Sequence, residues 1–232
     1  MVSNGNPTYF GWDQNKLHMP KFKKNNFIKT AECPRFNGKI KRVTISRIAG
    51  NYYASVLFEC KSIPMQYKRH QNKTSMVGID LGVKTLATFS DGTVSTKSCT
   101  KKIDKKIKKL QKKLSRKQKG SNNRMKAITK LQKAYLTKSN ILSDNLHKTT
   151  NYIVRHYDDV CLEDLSASNM VKNHKLARSV SDAQFYEFRR QIEYKIKYQL
   201  ERGVSVGLTY ADRFYPSSKL CSCCGFKKDT LS

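Results

Sequence analysis

Met76-Val77-Gly78-Ile79-Asp80-Leu81-Gly82 and Asp159-Val160-Cys161-Leu162-Glu163-Asp164-Leu165 decide how this chain reads. Each is a short apolar run of strand length that delivers one carboxylate at or near its end, Asp80 in the first and Glu163 in the second. A single acid at a strand end is ordinarily a turn, a cap or half of a surface ion pair. Two brought together at strand ends match what Mg²⁺ requires, since it takes hard oxygen ligands and keeps several waters. A pair of such ions clamps the attacking and leaving oxygens of a phosphodiester.

The setting is strongly basic. The chain carries 46 Lys+Arg against 17 Asp+Glu, a net charge of +29. Charge of this size says little about fold but much about partners, and nucleic acid is the expected polyanion. A ribosomal or packaging protein would share the charge but has no reason to place Asp80 and Glu163 at strand ends. At 232 residues and 38% hydrophobic content the chain has room for one large domain or two small ones. The start Met1-Val-Ser-Asn-Gly-Asn-Pro has no leader pattern, and runs such as Tyr52 to Phe58 are too short to span a bilayer, so no membrane partner is expected.

Upstream, residues 1–75 read as β. Lys41 to Ile48 and Asn51 to Cys60 alternate about a turn at Gly50-Asn51, and Lys61 to Ser75 is a polar, basic boundary. From Met76 the pattern is strand, turn, strand, turn, strand, with Asp91-Gly92 as a hairpin signal, which begins an antiparallel sheet. From Lys101 the period changes. Ile103, Ile107, Leu110 and Leu114 share a helix face, Gly120-Ser-Asn-Asn breaks it, and Met125, Ile128, Leu131 and Tyr135 resume it. The expectation is a long antiparallel helical hairpin within 97–156.

Between 97 and 138 that hairpin holds 17 Lys or Arg and one acid, Asp104. An ordinary solvated helix face mixes Glu with Lys, because like charges at i,i+4 repel. The near absence of acids marks a phosphate-binding surface, with Lys105, Lys109, Lys112, Arg116, Lys119, Arg124, Lys126 and Lys130 as candidates. Downstream, Tyr157 to Leu162 is a strand, and Ser181-Asp-Ala-Gln184 is a capping box opening a helix. Phe185, Phe188, Ile192, Ile196 and Leu200 form that helix's core stripe, Gly203 ends it, and Val204 to Leu208 is a last strand. The order β-β-β-(αα)-β-α-β gives an α/β fold with a mixed sheet under helical cover.

Seven cysteines, three of them crowded at Cys221, Cys223 and Cys224, are no disulfide framework. They fit a reducing compartment. Cys221-Ser-Cys-Cys224-Gly225 is half of a tetrahedral Zn²⁺ site, and a redox pair is the alternative. With no second pair after it, the site is expected to stay unfilled.

Three ordered motifs carry a resemblance: Gly78-Ile-Asp80-Leu-Gly-Val-Lys-x-Leu-Ala-Thr-x-Ser-Asp-Gly92, Leu162-Glu163-Asp-Leu-Ser166, and Tyr215-Pro-Ser-Ser-Lys-x-Cys221-Ser-x-Cys224-Gly225. Together they resemble the TnpB (OrfB) family of transposon-associated proteins, relatives of type V CRISPR nucleases and Fanzor proteins. The resemblance implies an RNase H-like (RuvC-like) nuclease domain over 76–232, containing the 97–156 insertion and an incomplete zinc ribbon at 214–232. Residues 1–75 would be part of a wedge-like β-barrel.

It also implies an RNA-guided DNA endonuclease with guide RNA and target DNA as partners and Mg²⁺ as cofactor. Asp80 and Glu163 would be the first two metal-binding carboxylates, and Cys221 and Cys224 half of a structural Zn²⁺ site. The Gly78–Gly82 stretch also resembles the first phosphate loop of actin-like ATPases and sugar kinases. No second Asp-x-Gly-x-x-Gly loop follows, so a small-molecule substrate is not expected. The family's second Cys pair, its final Asp and its N-terminal helical region have no match here; of the possible substitutes Asp164, Asp212 and Asp229, the last two are not at the final Asp's position. The expectation is therefore a chain truncated at both ends, with a catalytically dead nucleic-acid-binding remnant as the alternative to a nuclease.

Overall fold

The computed structural model describes residues 11–20, 27–35, 38–59, 74–174, 177–201, 203–212, 224 and 226–227. Two compact units divide the chain, Met1–Tyr67 with Leu110–Lys133, and Lys68–Lys109 with Ala134–Ser232.

In the first unit, β1 (Gly11–Asp13), β2 (Lys16–His18) and β3 (Ile28–Lys29) form a small antiparallel sheet in that order. Trp12 closes it, donating from Nε1 to Thr30 Oγ1 at 3.2 Å. β4 (Lys39–Ile48) and β5 (Asn51–Glu59) form a separate two-stranded ribbon. Its turn is Ala49-Gly50, one residue earlier than the expected Gly50-Asn51, because Ile48 pairs with Asn51. Both turn residues have positive φ, 52° and 85°, the left-handed pair whose twist matches a two-residue hairpin.

The second unit is α/β. β6 (Thr74–Leu81), β7 (Thr85–Phe89), β8 (Val94–Thr96), β9 (Tyr157–Glu163) and β10 (Gly207–Ala211) make one mixed sheet in the order β10-β9-β6-β7-β8. β6, β7 and β8 run antiparallel, as the turn signals predict, while β9 lies parallel to both β6 and β10. The centre strands are buried, which explains their continuous apolar runs: Val77, Ile79, Val160 and Leu162 are all 4% exposed or less. Gly82 ends β6 in a tight turn, where a Cβ would meet the Thr85 carbonyl oxygen at 2.9 Å.

The helical hairpin is present as α1 (Lys101–Ser115) and α2 (Asn122–His156). Gly120, at φ 81°, and Ser121 make the break; Ser121 Oγ accepts from the Arg124 N–H at 3.2 Å and caps α2. Three shorter helices follow: α3 (Ala167–Val171), α4 (Ala177–Ala183) and α5 (Phe185–Leu200). The capping-box reading is corrected here. Ser181 lies inside α4, and α5 starts after Gln184, whose left-handed φ of 53° separates the two helices without a side-chain cap.

Phe185, Phe188 and Ile192 of α5 are buried in the sheet's core, whereas Leu200 at its end is exposed. The last strand lies three residues later than expected, at Gly207–Ala211, because Val204 instead packs against the core ahead of the strand.

Candidate functional site

Strand register brings the two carboxylates together. In the parallel β6–β9 pair, Ile79 stands beside Leu162, so the next residues, Asp80 and Glu163, emerge at the same sheet edge. Burial raises the Glu163 carboxyl above its ordinary range, and a hydrogen bond and the negative charge of Asp80 push the same way. Neither carboxylate has an ion-pair partner among the described residues. Two acids held side by side without a cation make a donor set suited to a hard divalent ion.

Asp80 and Glu163 line a cavity of about 370 Å³ together with Cys161, Thr88, Ser90 and Asp212. Asp212 arrives there because Ala211 pairs with Glu163 across β10 and β9, and Asp212 is the next residue. The position is legible in the sequence only once the last strand is placed correctly. The three acids share a cavity without converging: among the described residues no group of three or more His, Cys, Asp or Glu is arranged to hold one ion. Cys221 lies outside the described residues, and Cys224 is an exposed free thiol.

Of the basic candidates, Lys105 and Lys109 are exposed in the second unit, and Lys112, Arg116, Lys119, Lys126 and Lys130 are exposed in the first. Arg124 is half-buried, and its Nη1 donates to the carbonyls of Leu114 and Lys117 at 3.2 Å each. It ties the end of α1 to the start of α2.

A second electrostatic feature escaped the sequence reading. Lys138 is buried on α2 and bridges Asp104 at 3.0 Å and Asp182 at 2.7 Å. Arg178 adds a contact to Asp104 at 2.7 Å, and Lys97 donates to the Ser179 carbonyl at 3.1 Å. Asp104, the one acid between 97 and 138, is therefore structural, binding α1 and α2 to α4. Lys138 is held above the usual lysine range by its two carboxylates, although burial opposes them.

Comparison with known proteins agrees with the motifs. Residues 55–174, more than half of the chain, match the OrfB_IS605 family, described as "Probable transposase". A Streptomyces pristinaespiralis protein with the provisional name RNA-guided DNA endonuclease is 35% identical over 191 residues, 82% of this chain and 45% of that protein. InsQ of Escherichia coli strain K12, with the same provisional name, is 34% identical over 239 residues, 95% of this chain and 56% of its own length. A Mycobacterium tuberculosis protein, also so named, is 28% identical over 176 residues, 71% of this chain and 37% of its own. The chain thus spans about half the length of the first two relatives. No helix among the described residues is long and apolar enough to cross a membrane. On the family match over residues 55–174, the chain belongs to the TnpB (OrfB) family of transposase-like proteins.

Proposed function

We propose that this protein acts in RNA-guided DNA cleavage, with the second unit as an RNase H-like (RuvC-like) nuclease core and the N-terminal β segments as part of a wedge-like domain. The observation that carries the reading is the placement of Asp80 and Glu163 on adjacent parallel strand ends, with no neutralising cation among the described residues. Asp80 and Glu163 would hold Mg²⁺, which supplies Lewis-acid polarisation of a phosphodiester and a water of lowered pKa. The exposed lysines and arginine of the hairpin would hold the phosphates of guide RNA and target DNA. The names of the relatives support both nucleic acids as partners. Cys221 and Cys224 would be two thiolate ligands of a structural Zn²⁺.

A second reading is a nucleic-acid-binding protein that does not cut. It is favoured by one observation: Asp80 and Glu163 share their cavity with Asp212, yet among the described residues no third acid joins them closely enough for a common ion.

One experiment separates the two. The protein is expressed with RNA transcribed from its flanking DNA and assayed for Mg²⁺-dependent cleavage of matching DNA. The nuclease reading expects cleavage that Asp80→Ala and Glu163→Ala each abolish while RNA binding is kept. RNA binding without cleavage gives the second reading. Cleavage undiminished in either variant sinks the site assignment.

A further inference from the structure

A second cavity, of about 460 Å³, adjoins the carboxylates, and Leu162 and Glu163 line both. Its lining combines apolar Leu81, Leu165 and Phe185 with Tyr186, Arg189 and Tyr210. The volume falls within the range of roughly 300–1,000 Å³ typical of small-ligand sites. Tyr186 is 73% exposed, a large aromatic ring left in water at the border of an apolar cavity.

Arg189 is held by two carboxylates and one aromatic ring. Its Nε donates to Glu193 Oε1 at 2.9 Å and its Nη1 to Asp164 Oδ1 at 3.2 Å. The guanidinium lies 4.1 Å over the Tyr210 ring, and the Tyr210 hydroxyl donates to the same Glu193 oxygen at 2.7 Å. Two carboxylates therefore satisfy the charge and hold the plane. A guanidinium in that state grips a phosphate poorly, because Asp164 and Glu193 take its Nε and Nη1 donors and repel an anion. It remains a flat, weakly hydrated surface of the kind on which bases stack. With Tyr186 nearby, the cavity offers stacking faces beside an apolar lining, with Glu163, Asp164 and Ser166 at its polar part; stacking platforms of this kind bind single strands with little sequence preference.

We propose that this cavity takes one unpaired nucleobase of a single nucleic-acid strand, stacked against Arg189 and Tyr186, beside the phosphodiester presented to Asp80 and Glu163. The proposal rests on the phosphodiester reading of those carboxylates. A paired base is buried in its own stack, so the pocket favours a strand that has been opened.

The test is photocrosslinking of a short single-stranded oligonucleotide carrying one 5-iodouracil, made once as DNA and once as RNA, to the 232-residue chain, with the attachment site mapped by mass spectrometry. The expected product joins the base to Tyr186 or Tyr210. Its yield should fall about five-fold or more in Arg189→Leu, the lower end of what one lost stack costs. Arg189→Lys keeps a charge but loses the plane, should lower the yield likewise, and serves where the leucine variant does not fold. Asp80→Asn, at a carboxylate that does not line this cavity, should leave the crosslink in place, so that a failed nuclease assay and a failed base site are told apart. A crosslink with only one of the two strands supports the proposal and assigns the strand. An oligonucleotide that binds but crosslinks only elsewhere, or an unchanged yield in both Arg189 variants, overturns the base site alone. No binding at all overturns the nucleic-acid reading with it.

Discussion

Ile79 and Leu162 stand side by side in the parallel pairing of β6 and β9, and that one register sets Asp80 against Glu163. The pair raises the Glu163 carboxyl through burial and through Asp80, so the two acids destabilise the fold when both are ionised.

Removing one acid should therefore stabilise the metal-free protein at neutral pH. Glu163→Gln or Asp80→Asn should melt roughly 2–4 °C higher, the shift that about 1 kcal/mol produces in a chain of this size. Added Mg²⁺ should raise the melting temperature of the wild type and leave both variants unmoved. Differential scanning fluorimetry with and without Mg²⁺ decides it, and equal responses in all three proteins would remove the metal site.

Lys138 joins Asp104 and Asp182 beneath the base of the hairpin. Lys138→Ala leaves partly buried Asp182 without its ion-pair partner and Asp104 with the more exposed Arg178 alone, and should cost about 3 kcal/mol. Arg178→Ala should cost less than about 1 kcal/mol, since the Arg178 side chain is 58% exposed. Urea denaturation of the two variants checks the ranking; a larger loss from Arg178 would invert it.

The exposed lysines give a salt signature. If Lys105, Lys109, Lys112, Lys126 and Lys130 contact phosphates, each change to Gln should reduce the log–log salt slope of RNA binding by about one. Arg124→Gln should behave differently, lowering stability through the lost Leu114 and Lys117 carbonyl contacts. A slope that none of the lysine variants moves would take phosphate binding off these residues.

Lys195 predicts an alkaline effect. It donates to Thr150 Oγ1 at 2.6 Å and to the His147 carbonyl at 3.2 Å, and burial, with Arg155 acting the same way, lowers it from 10.5 to about 8. The depressed value means that its stabilising contribution is full above about pH 10.5 and is lost as pH falls through about 8. The wild type should thus gain stability over Lys195→Met as pH rises from about 8 to about 10.5. Denaturation of both proteins across that window tests it, and a constant difference would contradict the burial.

Periodicity made the strands around Asp80 and Glu163, the hairpin and the Phe185–Phe188–Ile192 face legible, because each buries a regular pattern. The rest turned on features that period does not encode. Ser181 matched a capping box, yet a left-handed Gln184 starts the helix, and tertiary packing of α4 decides that. Asp104 looked like a stray acid in a basic run; its partner Lys138 is 34 residues away in sequence and one helix across. Asp212 joined the carboxylate cavity only when the last strand moved three residues, which the apolar stretch Val204–Leu208 concealed. Arg189 gave no sequence signal, since its role depends on Tyr210 lying beneath it.

The turn at Gly82 has a consequence for reading gene copies. The carbonyl of Thr85 leaves no room for a side chain there, and the residue stands two positions from Asp80. A substitution at 82 would distort the strand end that aims Asp80 while every acidic residue stayed in place. A survey that scored copies of this gene by their carboxylates alone would count such a copy as intact, so a damaged lineage would pass for a working one until its glycine was inspected.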